Sequence, residues 1–161
     1  MSRKSKKAKI DMSQGFTVTR LLDAPRALVW RAWTEPDEMA RWFHPSGATS
    51  PREDIAVDLR VGGRYEYVMV IDETGDRVPT GGTYVEVDEP GRLVFTWGQP
   101  GAPVEESPLV TLTFADLGDK TEMTFRLQGV PGKPGDGFVH DGWTSALDFL
   151  AEALADSAPP R

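Results

Sequence analysis

Two histidines and no cysteine leave this chain few side chains that titrate near neutral pH or bind soft metals. Disulfides, thiolate metal sites and cysteine nucleophiles are excluded. A histidine-based zinc site has too few ligands to be expected. His140 and Asp141 are adjacent, which raises the question of a dyad. Neighbouring positions on a helix point about 100° apart, so Asp141 is not placed to orient His140 as a catalytic triad requires. The expectation for His140 is a solvent-facing place in a first helical turn, against the alternative of an acid or base at a pocket mouth. His44 follows a short helix, where an imidazolium would cap the C-terminal end. Gly62–Gly63 is no phosphate loop, because no lysine with serine or threonine follows at the required spacing; a turn or bulge is expected. No catalytic residue is assigned, and neither a metal nor a cofactor is expected.

The chemistry that the chain does concentrate is aromatic. Trp30, Trp33 and Trp42, three of its five tryptophans, fall within thirteen consecutive residues, and Phe43 follows directly. Period-two alternation in the strand candidates adds to them. Tyr65, Tyr67, Met69 and Ile71 share one face of a strand at 64–71. Ile55, Val57 and Leu59 do so at 54–59, and Leu93, Phe95 and Trp97 at 92–97. Val110, Leu112 and Phe114 follow at 108–115, and Met123, Phe125 and Leu127 at 120–128. For the strand at 82–88 the inward set is Thr83, Val85 and Val87, with Glu86 and Asp88 in water. The inward list holds tyrosine hydroxyls and an indole N–H but no carboxylate, lysine or histidine. General acid–base catalysis needs a titratable group within reach of the substrate. Tyrosine, with an ordinary pKa near ~10, suits neutral hydrogen bonding better. Such a lining would either fill an ordinary core or wall a chamber for an apolar molecule.

The positioning elements can be read from turn and cap signals. "FTVTRLL", Phe16–Leu22, is the first strand candidate, rich in β-branched and aromatic residues. Pro25 suits the opening turn of a helix running to about Trp33. A second short helix follows, with Thr34 as its cap, Pro36, Asp37 and Glu38 in its first turn, and a stop by Phe43 because Pro45 disfavours helix at His44. Beyond the loop at 45–53 come the six further strand candidates. "DETGDRVPTGG" and "GQPGAPVEES" are expected breaks, "EPGR" a type II turn and "LGDK" a tight hairpin. "GVPGKPGDG", Gly129–Gly137, must be loop. The last element is a helix over about Phe138–Ala155. Its apolar stripe is Trp143, Leu147, Leu150 and Leu154. Within it, Gly142 either allows a close approach or marks a later start.

The formal net charge is −7, and the first nine residues hold five basic side chains and no acidic one, so the remaining 152 carry −12. An acidic body repels nucleic acid and anionic membrane, and neither is an expected partner of the folded part. No apolar run reaches the length of a membrane span and no signal pattern opens the chain, so a cytoplasmic protein is expected. Residues 1–14 read as a disordered basic tail, 15–156 as one domain, and 157–161 as a frayed end.

Four stretches in order, "APRALVWRAWTEPDEMARWF", "VGGRYEY", "GTYVEVDEPGRLVFTW" and "HDGWTSALDFL", resemble the family of activator of 90-kDa heat-shock-protein ATPase homologues within the START-like (SRPBCC) superfamily. The resemblance covers about residues 16–155. It implies an α+β helix-grip fold: a seven-stranded antiparallel curved sheet wrapped around the long C-terminal helix, with two short helices after strand 1. It also implies a cavity between sheet and helix, closed at one end by the short helices. Trp33, Trp42 and Phe43 are carried onto that wall by the "W-T-E-P…R-W-F" segment, and Trp143 onto the gripped helix by "H-D-G-W". With the inward residues above, the expected lining is Trp33, Trp42, Phe43, Tyr65, Tyr67, Met69, Phe95, Trp97, Phe114, Phe125, Trp143 and Leu147. The family and superfamily include a co-chaperone domain, small-molecule carriers, self-resistance proteins and polyketide cyclases. The expected role is binding of a small apolar or aromatic molecule. A co-chaperone that stimulates a chaperone ATPase and a cyclase or dehydratase remain the alternatives.

Overall fold

The computed structural model describes residues 10–157; residues 1–9 and 158–161, with most of the expected basic tail and frayed end, lie outside it. Residues 10–14 are not free chain. Gln14 N–H closes a turn on the Asp11 carbonyl, and the Gln128 side chain donates to the Met12 carbonyl.

The elements in order are β1 (Gly15–Leu22), α1 (Arg26–Thr34), α2 (Pro36–Met39), β2 (Ala48–Thr49), β3 (Ala56–Val57), β4 (Arg64–Ile71), β5 (Arg77–Asp88), β6 (Arg92–Thr96), β7 (Leu109–Asp116), β8 (Thr121–Gln128) and α3 (Val139–Ser157). All strand pairs are antiparallel. The order across the sheet is β1-β8-β7-β6-β5-β4-β2, with β3 also on β4. Eight strands therefore replace the expected seven. A 3-10 turn at Arg52–Asp54 takes the start of the strand expected at 54–59 and leaves only the two-residue β3. The two-residue β2 arises in the expected loop.

Cross-strand registers show how the inner face is built. One row runs Phe16, Leu127, Val110, Phe95 and Tyr84 across five strands; the next runs Val18, Phe125, Leu112, Leu93 and Val87. Two residues separate the rows on β6, but three do so on β5. The extra residue is a bulge between Tyr84 and Glu86. It corrects the expected facing of this strand. Tyr84 points inward and is buried, Thr83 pairs with outward Arg64, and Val85 is 39% exposed. Beyond the bulge Val87 is inward again, while Glu86 forms a surface ion pair with Arg92.

β5 is also longer than expected. It takes in Arg77–Gly81, foreseen as a break, and pairs there with β4 before crossing to β6. The crossing is a kink at Gly81 and Gly82. A Cβ on Gly82 would stand 1.8 Å from the Thr96 carbonyl oxygen, so only glycine fits this bend. Thr96 serves both sides of it. Its hydroxyl accepts the Thr83 N–H at 2.8 Å, and its carbonyl accepts the Tyr65 hydroxyl at 2.7 Å.

Several local expectations change in the tertiary setting. Pro25 sits before α1 rather than in its first turn, and its carbonyl accepts from Leu28 and Val29. Thr34 does not cap α2; its hydroxyl bonds back to the Trp30 carbonyl, and Glu35 takes the cap position. Regular α2 ends at Met39, and turns carry the chain to Phe43. At "EPGR" the Glu89–Pro90 bond is cis, with Gly91 N–H bonded to the Asp88 carbonyl, which is not a type II turn. The "LGDK" hairpin forms as expected.

α3 lies against the inner face. Trp143, Leu147, Leu150 and Leu154 are all buried in one apolar cluster with the sheet and α1. The helix begins at Val139 and leaves Phe138 outside it, 77% exposed. No helix among the described residues is long and apolar enough to cross a membrane.

The kink yields a stability prediction. Gly82→Ala forces a backbone shift against Thr96 and should cost about 3 kcal/mol, at the upper end of overpacking changes. Urea unfolding monitored by tryptophan fluorescence measures it.

Candidate functional site

The aromatic cluster has Trp33 at its centre. α1 carries the indole inward, 2% exposed, into contact with five rings. Trp42 meets it edge-on at 4.5 Å and Phe43 at 5.9 Å; Phe95 and Phe125 from the sheet lie at 6.2 and 6.4 Å, and Trp143 from α3 stacks at 6.4 Å. Trp42 is fixed in turn, because its indole N–H donates to the Ala32 carbonyl at 2.9 Å. Phe114 lies away from this group, edge-on to Trp30 of α1. Among these rings, Trp33 itself does not line the open cleft.

The open space lies beside them. A cleft of about 520 Å³ lies between the first turns of α3, the segment after α2, and the Tyr67–Ile71 end of β4. Phe43, Tyr67, Met69, Trp97 and Trp143 line it. The other seven residues of the expected lining, Trp33, Trp42, Tyr65, Phe95, Phe114, Phe125 and Leu147, sit behind this wall in the packed core. The rims come from residues whose roles sequence patterning could not place: His44, Pro45 and Ser46 after α2, and Gly137, Phe138 and Asp141 at the start of α3. Gly142 faces Pro45 here, where a Cβ would make ordinary contact at 3.6 Å.

The lining is mostly apolar, and its polar atoms are largely engaged. Trp97 Nε1–H donates to the Tyr67 hydroxyl at 3.0 Å. Burial raises the Tyr67 pKa, with its hydrogen bonds to Trp97 and Thr80 working the other way. Burial likewise raises Tyr65 and Tyr84, each with a neighbouring charge or phenol adding to it. All three phenols are neutral at physiological pH. Ser145 Oγ donates to the Gly142 carbonyl and accepts the Ser46 N–H, tying the α2–β2 segment to α3.

A carboxylate and a histidine on the wall, Asp141 and His44, correct the expectation that it has neither. Asp141 accepts the N–H groups of Gly137 at 2.8 Å and Gly135 at 3.0 Å. These bonds, and a weaker one from the His140 ring at 3.2 Å, lower its pKa. His140 and Asp141 thus do touch. The imidazole is not solvent-facing: it packs on Phe16 at 4.7 Å with its side chain 15% exposed. His44 is no C-cap. Its ring lies against Phe149 at 5.5 Å, and burial lowers its pKa against the opposing pull of the Asp72 carboxylate. Its Nδ1 is sealed without a hydrogen-bond partner, as are the indole nitrogens of Trp33 and Trp143. Among the described residues no group of three or more ligating side chains is placed to hold a metal ion.

A family model described as activator of Hsp90 ATPase homolog 1-like protein matches residues 23–155. The chain belongs to this family. Solved structures agree. The crystal structure of CV1439 from Chromobacterium violaceum is 26% identical, covers 89% of this chain and 98% of its own, and superposes with a TM-score of 0.75. NE0264 from Nitrosomonas europaea is 29% identical over 91% of this chain and 97% of its own, at 0.74. The AHSA1 protein SPO3351 from Silicibacter pomeroyi, 22% identical over 89% and 99%, shares the fold at 0.73. No curated protein matches the chain. The helix-grip α+β fold implied by the four sequence stretches is therefore the fold of this chain.

The rim of the cleft depends on a second carboxylate. Asp136 accepts the backbone N–H groups of Phe138, His140, Asp141 and Lys133, and so caps α3 from outside the helix. Desolvation works against its charge, but the four N–H bonds outweigh it and hold the pKa at about 2, below the ordinary 3.8. Because the folded value is the lower one, this contribution to stability is complete above 3.8 and lost as pH falls through about 2. Hydrogen-exchange protection of the Phe138, His140 and Asp141 amides should fall across that window before the core amides lose theirs. Separately, Trp33→Ala should destabilise the fold by roughly 3–5 kcal/mol, measured by chemical denaturation.

Proposed function

We propose that this protein binds a small apolar or aromatic molecule in the cleft between α3 and β4. The observation that carries the reading is the cleft itself: about 520 Å³, walled by Phe43, Tyr67, Met69, Trp97 and Trp143. That volume is within the range of small-molecule sites, which are typically apolar with a few placed polar groups. Aromatic walls give large contact area at low entropic cost, and a methionine adapts to the shape of the occupant.

The wall's polar chemistry favours binding over turnover. Tyr67 is held neutral, and Asp141 is committed to backbone N–H groups. His44 is the remaining titratable group on the wall, and its Nδ1 has no hydrogen-bond partner to orient the ring; the Asp72 carboxylate acts on it only through space. The cleft can therefore enclose and orient a molecule, while the His140 ring that touches Asp141 packs on Phe16 and is not part of the lining. The activator role in the family name belongs to the family's namesake; here the reading rests on the cleft.

N-phenyl-1-naphthylamine, a neutral fluorescent probe, tests it. The wild-type protein should bind it saturably with micromolar affinity. Filling the cleft from either wall, with Ala146→Phe on α3 or Met69→Trp on β4, should weaken binding at least about tenfold, the loss expected when a pocket no longer admits its ligand. The melting temperature should stay within a few degrees. Unchanged probe affinity in both folded variants would remove the cleft from consideration.

A further inference from the structure

Most polar groups on the cleft wall are already spoken for. The Trp97 N–H donates to the Tyr67 hydroxyl, which is also hydrogen-bonded to Thr80, Ser145 bridges Gly142 and Ser46, and Asp141 binds two backbone N–H groups. The Trp143 indole nitrogen is sealed from solvent. What remains among the described side chains is the exposed Ser46 hydroxyl and the ring of His44.

The two nitrogens of His44 are not equivalent. Nδ1 is sealed and has no partner, whereas Nε2 is not sealed and makes no hydrogen bond among the described residues. A neutral imidazole carries one proton and must place it on one of the two. A buried N–H without an acceptor is rarer and costlier than a buried lone pair without a donor. The proton therefore belongs on Nε2, and the ring offers the cleft a hydrogen-bond donor. Burial supports the neutral form, since it lowers the pKa more strongly than Asp72 raises it.

The charge pattern limits the occupant further. No lysine or arginine lines the cleft, and the one carboxylate there, Asp141, repels an anion while its own oxygens are occupied. We propose that the cleft selects an uncharged aromatic molecule bearing a carbonyl oxygen, and that His44 Nε2–H donates to that oxygen while Trp97, Trp143 and Phe43 enclose the rings. This rests on the binding role proposed above and names the ligand class and the residue that reads it.

Fluorene and 9-fluorenone differ only in the carbonyl and give a matched pair. Calorimetry on the wild-type protein should show 9-fluorenone binding about fivefold more tightly, as one net hydrogen bond provides. The preference should vanish in His44→Phe, which keeps a ring against Phe149, and return in His44→Gln, which restores an N–H donor. Long-range proton–nitrogen spectra should show the His44 proton on Nε2. Equal affinity of the two compounds in the wild type overturns the assignment of His44 while leaving a binding cleft in place. Tighter binding of a fluorenone carboxylate or a fluorenyl ammonium than of 9-fluorenone overturns the uncharged class. If neither member of the pair binds while N-phenyl-1-naphthylamine does, this inference falls and the cleft reading stands; if none of the three binds, both fall.

Discussion

The packing of Trp33 against rings from every side is the constraint on which the rest depends. Trp42 and Phe43 come from the turns after α2, Phe95 and Phe125 from the sheet, and Trp143 from α3. One indole thus joins three parts of the chain that share no backbone hydrogen-bond ladder. Offset and edge-on ring contacts are directional, so they fix how α3 lies as well as that it is buried. With α3 fixed there, its first turns stand away from β4 and the cleft is left open. A smaller residue at position 33 would let the helix settle differently and change the cleft with no substitution in it.

The second constraint is the shape of the sheet. A flat sheet would meet α3 along its whole length. Here β5 changes partners at Gly81 and Gly82, where close backbone approach to Thr96 demands glycine. Three residues later the bulge at Tyr84–Glu86 shifts the facing by one. The result is a concave sheet with tight packing over β6, β7 and β8 and looser packing over the far end of β4, where Met69 and Ile71 are only partly buried. The bulge also decides the chemistry. Without it, Tyr84 and Glu86 would share a face; with it, the phenol goes to the core and the carboxylate to an ion pair with Arg92 on the surface.

The cleft carries a single ionised side chain, Asp141, although the protein is strongly acidic. Its one phenol, Tyr67, is kept protonated by burial, and its carboxylate is used to hold the loop before α3. Asp136 and Asp141 both serve that loop, so the negative charge nearest the cleft is spent on backbone N–H groups at a helix start, where the helix dipole also favours it. This separates two roles that sequence alone leaves mixed: acids that shape the rim and aromatic residues that offer the surface.

Periodicity and turn chemistry were enough to determine the order of the longer strands and the helices, the antiparallel strands with one apolar face, the "LGDK" hairpin and the buried stripe of α3. These depend on neighbours within a few residues, and local residue types report them directly. The same signals named a set of inward aromatic residues but could not divide it. Trp33, Phe125 and Leu147 in the solid core and Tyr67, Trp97 and Trp143 at the cleft have the same periodicity and the same hydrophobicity. Whether an inward side chain meets another side chain or open space depends on where α3 comes to rest, which is set by contacts far apart in sequence. The facing of β5 escaped for a related reason: a bulge is one residue long and takes its stability from the partner strand. His44 and Asp141 were visible as residues but not as wall, because only the meeting of the α2–β2 segment with the start of α3 brings them to the same space.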